Sequence, residues 1–556
     1  MNQLCGGCSA PFEILEADLA GLAAITPVVA GKEYALPSPT LCTDCRQQRR
    51  LAFRNERKVY HRSCDFCKKA IISVYSPDKP YVVYCSECWW DDACDATQYG
   101  QDFDFSRPFF EQFAELVHKV PLLSNMVFNS VNSEYNGFCS GSKDCYLSSR
   151  IGDCENILYS YLGLSALGCI DCFDFFHCQY CYECVDCWNC YNSKFCQLSR
   201  NCTDCVFCYD CIGCKNCFGC VGLRNVEYYF FNKPCTKEEY EENVKKYNLG
   251  NYANLEAFKK QFYHEELFKK PFRSAVIINT ENASGNYISQ SKDIYRCFDV
   301  EKTDTARHSW GVEYAKDIYD CSFIYYGEHC YENISNSKSA NIYFSFVAIG
   351  VHDLLYSMLC FNNTHDCFGC LSLKKQQYCI LNKQYSKEEY EALVPRIIEH
   401  MKKTGEWGEF FSIQFSLFGY NESLAQEYFP LKKDQILAKG YRYQEEDVRQ
   451  YLPQKYQIPL DIRDVPGSII SEILSCIDCG KNYKIIAREL EFYQQAVLPI
   501  PRKCPDCRHR SRMSLRNPRK LYQRPCDRCG MNIETTYAPE RPEKVYCEKC
   551  YLEGVY

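Results

Sequence analysis

Between about 136 and 380, the small and apolar positions recur at every third residue. All 18 cysteines from Cys139 to Cys220 keep one phase of that period. The inward phase holds small residues almost without exception. Set in rows of 18, Cys154, Cys172, Cys190 and Cys208 share a column, and Asn156, Asp174, Asn192 and Asp210 share a polar one. The stretch 291–360 keeps the triplet phase with fewer cysteines, through Ser291, Ile294, Cys297, Val300, Thr303 and Ala306. Its clearest period is 24, in Ser-Lys-Asp-Ile-Tyr at 291, Ala-Lys-Asp-Ile-Tyr at 315 and Ser-Ala-Asn-Ile-Tyr at 339. A triplet period fits neither the helical 3.6 nor the strand 2. It predicts a parallel β-solenoid, whose short strands turn corners and stack. Small residues suit a narrow interior, and Asn or Asp suits the corners, where side chains bond turn backbone.

The predicted solenoid is doubled. Residues 217–244 match 367–394, with 14 of 28 identical, and each copy runs from Cys-Phe-Gly-Cys into a capping box, Thr236 with Glu239 and Ser386 with Glu389. Helical segments are therefore expected over about 236–270 and 386–403. Ahead of the solenoid, Phe109, Phe110, Phe113, Leu116, Val117 and Val120 make the apolar stripe of a docking helix. Ser106 is its expected cap, with Pro108 in its first turn. Residues 404–470 are aromatic and charged without a clear repeat, as a linker or packing region would be.

Both ends carry CxxC pairs. Residues 42–88 align with 504–550 without a gap, and 22 of 47 positions are identical, which argues for a duplicated module. Two knuckles brought together by a hairpin give four thiolates around a tetrahedral zinc. The expected ligand sets are Cys5, Cys8, Cys42 and Cys45; Cys64, Cys67, Cys85 and Cys88; Cys476, Cys479, Cys504 and Cys507; and Cys526, Cys529, Cys547 and Cys550. Four thiolates leave no open position, so four structural zincs are expected. Free redox CxxC pairs are the alternative. The 33 residues between Cys8 and Cys42 are long for one ribbon.

The fold class is thus mainly β and multidomain, a parallel β-solenoid flanked by paired zinc ribbons. The expected divisions are 1–98 tandem ribbons, 99–135 docking helix and lead-in, 136–235 first solenoid half, 236–272 helical insert, 273–385 second half, 386–470 helical and irregular packing region, and 471–556 tandem ribbons. The chain holds 43 Cys in 556 residues with 46% hydrophobic content. Cysteine this dense means a secreted disulfide scaffold or metal binding in a reducing compartment. The start Met-Asn-Gln-Leu-Cys-Gly-Gly-Cys has no basic or apolar signal region, and no apolar window suits a membrane span. The expectation is a cytoplasmic protein with reduced or metal-bound thiols.

Charge changes the picture. Residues 46–63 carry seven Lys/Arg and one Glu, and residues 508–525 carry seven and no acid, which leaves a body of formal charge −20 elsewhere. Arg-rich segments beside ribbons suit phosphate contact, with Tyr60 and Tyr522 for base stacking. The candidate nucleic-acid residues are Arg54, Arg57, Lys58, Arg62, Arg516, Arg519, Lys520 and Arg524, with RNA or the ribosome as expected partner. The competing reading is that these cations pair with the acidic body and fix domain packing. Solenoid thiols could bind zinc or Cu(I), assemble a cluster or pair as disulfides; as small, well-packing residues they need do none of these. Thiol-based metal storage and a protein-interaction scaffold are therefore alternative functions. No P-loop, GxSxG, HExxH or GxGxxG occurs. The recurrence of Asp293, Asp317 and Asn341 reads as corner chemistry, and His308, His329, His352 and His365 are irregularly spaced.

The chain resembles a family of cysteine-rich proteins predicted from genomes of candidate-phylum bacteria. The resemblance rests on Arg-Asn-Glu-Arg (54–57), Ile-Ser-Val-Tyr-Ser-Pro-Asp (72–78), Phe-Asp-Phe-Ser-Arg-Pro-Phe-Phe-Glu-Gln-Phe (103–113), Cys-Phe-Gly-Cys and Gly-Glu-Trp-Gly-Glu-Phe-Phe (405–411). It implies the architecture above and brings no activity with it.

Overall fold

A computed structural model describes residues 1–328, 332–340, 343–445 and 450–555, so the expectations for His329 and Asn341 lie outside the described residues. Parallel β-structure, short helices and cysteine clusters make up the chain. In the first ladder Val127, Cys139, Ile151, Gly163, Phe175 and Cys187 are successive partners. A row of isolated parallel bridges carries it on, from Val131 through Lys143, Glu155, Leu167, Gln179, Tyr191 and Thr203 to Lys215. Partners in both rows are twelve residues apart.

That register corrects the 18-residue columns. Eighteen residues are one and a half rungs, so Cys172 and Cys190 do not stack. Cys172 lies over Cys184, and Cys190 lies between Cys178 and Cys202. The 24-residue period is two rungs. Along the first ladder nearly every third residue is left-handed, including Asn156, Asp174, Asn192 and Asp210 at φ of +45 to +56°. Asn and Asp tolerate that region better than other non-glycine residues. Their side chains join neighbouring rungs, as from Asn132 Nδ2 to Asp144 at 2.9 Å and Asn192 Nδ2 to Asp204 at 2.6 Å.

Hydrogen bonding explains the small polar phase. Within a triplet, two amides enter the ladder, as in Glu155 N to Ala166 O and Asn156 N to Lys143 O. Where the inward residue's amide finds a partner, it is often the side chain one rung back. Cys154 N donates to Ser142 Oγ, Cys172 N to Ser160 Oγ, and Asn232 N to Cys220 Sγ. The inward thiol also donates, as from Cys178 Sγ to Phe176 O and Cys187 O at 3.5 and 3.3 Å. Ser and Cys are the small residues that both accept and donate.

The second ladder runs from Ile277 to Gln384 and keeps the twelve-residue register over most of its length. Partners are eleven apart at its start (Ile277 with Ile288), thirteen near its end (His352 with His365) and twelve again in the last parallel pair (His365 with Gln377). Consecutive left-handed residues Asn362 and Asn363 take up the extra position. Its interior is Ile288, Ile294, Val300, Val312 and Ile318 around Cys297 and Cys321.

Helices cover Lys237–Tyr247, Tyr252–Gln261 and Lys387–Thr404, and both expected capping boxes form. The docking helix spans Phe109–Val117, but Ser106 does not cap it. Glu406, distant in sequence, accepts from Phe109 N and Phe110 N at 2.9 and 2.8 Å, while Ser106 bonds Asp104. Pro108 stands at the cap itself.

The cores are crossed. One cluster joins the N-terminal ribbons, through Leu51, Phe53 and Trp89, to the second ladder and to Trp407, Phe410 and Phe411. Another joins the C-terminal ribbons, through Leu474, Tyr493 and Cys526, to Leu158, Ile170 and Phe195 of the first ladder. The ribbons also extend the ladder entries: Val83–Tyr84 pairs with Leu122–Leu123, and Val545–Tyr546 with Phe272–Arg273.

Candidate metal centres and the cleft between them

Each centre is built from a hairpin knuckle and a helix start. Tyr60–Ser63 pairs antiparallel with Ala70–Ser73, and Cys64 sits where the hairpin tightens, with Cys64 N bonded to Lys69 O and Lys68 N to Cys64 O. The tight turn needs one left-handed residue, supplied by Ser9, Lys68, Gly480 and Gly530 in the four sites. The second knuckle opens a helix, and Cys42, Cys85 and Cys504 are the N-caps.

Four sets result: Cys5, Cys8, Cys42, Cys45; Cys64, Cys67, Cys85, Cys88; Cys476, Cys479, Cys504, Cys507; and Cys526, Cys529, Cys547, Cys550. Within each set all sulfurs lie within 4.8 Å of one another, so each could hold a metal ion. Among the described residues no other three Cys, His or carboxylate groups meet so closely. The long spacer of the first set forms the helix Glu16–Ala24 and the hairpin Val28–Glu33, and Cys8 Sγ still reaches Cys42 Sγ at 3.8 Å. Corresponding separations are 3.8 Å for Cys67–Cys85, 3.7 Å for Cys479–Cys504 and 3.9 Å for Cys529–Cys547. A tetrahedron with metal–sulfur bonds of about 2.3 Å has an edge of about 3.8 Å, so the donor sets fit a four-thiolate ion.

The backbone favours thiolate. Cys64 Sγ accepts from Cys85 N at 3.2 Å, Cys526 Sγ from Cys547 N at 3.3 Å, and Cys5 Sγ from Cys42 N at 3.2 Å. Burial pushes the Cys64 thiol up, but amides of Cys85, Cys67 and Phe66 outweigh it and bring it to about 7. The same balance brings Cys526 to about 6.

The eight basic candidates divide. Arg54 is buried, paired with Glu56, and lies 3.7 Å from the Phe138 ring. Arg516 pairs with Asp186 at 3.1 Å and Asp299 at 2.6 Å, and Arg519 reaches Asp299 at 2.6 Å while lying over Trp310. Arg62 and Arg524, both largely buried, hold Asp65 and Asp527 of their own ribbons. Arg57 bridges Asp506 and Glu427. Lys58 is exposed and reaches Asp506 at 2.9 Å. Lys520 is exposed, lies 5.3 Å over the Tyr522 ring and makes no ion pair among the described residues. Contacts from Arg57 and Lys58 to Asp506 therefore bring the two ribbon pairs together. Between them lies a cleft of about 1130 Å³, lined by eight Lys/Arg and five Asp/Glu.

The sequence reading did not single out the strongest attachments. Arg46 and Arg50, on the first module's helix, grip Asp320 of the second ladder at 2.5 and 3.3 Å. Arg508 and Arg512, on the last module's helix, grip Asp171 of the first ladder at 3.3 and 2.6 Å. Both aspartates are fully buried. The signal was available: the arginines repeat at the module offset of 462, and the aspartates lie 149 apart.

His308 pairs with Asp18, and His352 and His365 stack at 4.6 Å, each bonded to the aspartate that follows it. No helix of the described residues is long and apolar enough to cross a membrane. No protein-family model and no curated protein matches the chain.

Proposed function

We propose that this protein is a zinc-assembled, non-catalytic scaffold that binds single-stranded RNA in the cleft between its ribbon pairs. In this reading each ladder is half of a four-sided β-solenoid with twelve residues per coil, and the ribbons clamp the halves together. Zinc is the metal because it is indifferent to d-electron geometry and takes closed four-thiolate sites. It would be held by the sixteen ribbon cysteines, and it supplies cross-linking rather than chemistry. All forty-two described cysteines are free thiols, which accords with a reducing compartment such as the cytoplasm.

One observation supports the RNA reading. The lining of the cleft carries eight cations against five acids, and Lys58 and Lys520 stay exposed there, with Arg510 beside them and the Tyr443 ring in the wall. Exposed lysines and an aromatic ring suit a phosphate backbone with splayed bases. Arg54 and Arg524 are withdrawn by burial and pairing, and Arg516 and Arg519, which line the cleft, are held by Asp186 and Asp299, so the proposed interface is narrower than the two basic segments. The test is fluorescence anisotropy of a short single-stranded RNA against wild type and the double variant K58E/K520E. The expected outcome is a roughly tenfold or greater weakening with a shallower salt dependence. Absence of salt-dependent binding, or equal binding by the variant, would refute it and leave a protein-interaction scaffold.

A further inference from the structure

Cysteine is not distributed evenly over the first ladder's interior. With the twelve-residue register, two columns are unbroken: Cys178, Cys190, Cys202 and Cys214 in one, and Cys172, Cys184, Cys196, Cys208 and Cys220 in another. Each inward thiol meets sulfurs along its column and along its own rung: Cys190 meets Cys178 and Cys202 one rung away and Cys187 beside it, and Cys208 meets Cys196 and Cys220 as well as Cys205 and Cys211. On two rungs all four inward residues are cysteine, 178–181–184–187 and 202–205–208–211. Cys178 to Cys220 are buried to 1% exposure or less.

Neither packing nor hydrogen bonding selects sulfur there. Ser160, Ser193 and Ser199 make the same bond to the carbonyl two residues back. In the second ladder, 149 residues on, Val351, Leu354 and Ser357 stand where the first has Cys202, Cys205 and Cys208, and they are just as buried. What sulfur adds is affinity for soft metal ions. The spacing decides which kind. No three of these thiols converge as the ribbon sulfurs do, so there is no tetrahedral cage among the described residues. Rungs repeat at about 4.8 Å, so sulfurs pair along a column, an arrangement that suits a two-coordinate ion with its metal–sulfur bonds in line better than a tetrahedral one. An amide donor already reaches the second column, from Asn232 N to Cys220 Sγ at 3.5 Å, and such a bond stabilises thiolate.

We propose that the two unbroken columns are a binding site for soft monovalent d10 cations, of which Cu(I) is the biological example, each ion bridging two sulfurs one rung apart. Binding is an acid–base exchange: two S–H bonds break, two S–Cu bonds form, both protons leave to solvent, and copper stays Cu(I). The thiol-to-carbonyl bonds are given up and the amide-to-sulfur bond is kept. Because the columns are sealed, the ion enters while the rungs assemble.

The test counts zinc and copper in the full-length chain, produced in copper-supplemented cells and purified without oxygen. The comparison is a variant with Cys178, Cys181, Cys184, Cys187, Cys202, Cys205, Cys208 and Cys211 all changed to Ser. The expected result is copper beyond an unchanged zinc content in the wild type, falling by more than half in the variant. If that variant does not fold, the four-serine variant at 202–211 takes its place, with a smaller loss in the same direction. A chain that acquires no copper, acquires it only by losing zinc, or acquires it equally as the serine variant overturns the proposal.

Discussion

Asp171 and Asp320 show what single residues contribute here. Each is a fully buried carboxylate held by two arginines from a ribbon helix that starts at a knuckle cysteine. Replacing such a buried pair with apolar residues can be neutral, but removing one partner strands charge at a cost of roughly 3–5 kcal/mol. D320A, which strands Arg46 and Arg50, is therefore expected to lower stability by about that amount in chemical denaturation. A second residue gives a pH signature. Glu313 lies one rung from Glu301 in the cavity between the ladders. Burial, reinforced by Glu301, pushes its carboxyl up from 4.5 to about 7. The folded state then binds more protons than the unfolded state between those values, so stability falls as pH rises through that window. E313Q is expected to raise the melting temperature at pH 8 and to leave it nearly unchanged at pH 4, read by thermal unfolding at both.

The elements were legible to different depths. The CxxC spacing is chemically specific, and each of the four expected sets brings its sulfurs within 4.8 Å of one another. Capping boxes act within four residues, so Thr236 and Ser386 could be read directly. The docking helix could be found but not its cap, because Glu406 comes from almost 300 residues away. The triplet phase was visible but not the rung length. Every multiple of three preserves the inward phase, so 18 and 24 both looked periodic, and only strand pairing selects twelve. The fate of the basic segments was the least visible, since Arg54 and Arg516 meet their surroundings only after the ladders assemble. The Glu406 cap supplies a prediction at this scale. E406A leaves two helix-start amides without their acceptor and is expected to cost about 1 kcal/mol in chemical denaturation, within the usual range for a lost cap.

At the scale of the molecule, the connections cross. N-terminal ribbons pack on the second ladder and C-terminal ribbons on the first, so neither half is complete without the far end of the chain. One contact repeats with the duplication: Arg54 lies over the Phe138 ring, and Arg516, 462 residues on, lies over the Tyr287 ring. If metal holds the ribbons, chelation is felt everywhere. Treatment with a strong chelator under reducing conditions is expected to lower the melting temperature of the whole chain in one transition, with restoration on adding zinc. The clamp between the two ends of the chain rests first on the identity and number of those metals. The direct measurement is elemental mass spectrometry of the chain purified under reducing conditions without added copper: four zincs per chain is the result it predicts, and fewer than four, or iron in their place, would contradict it.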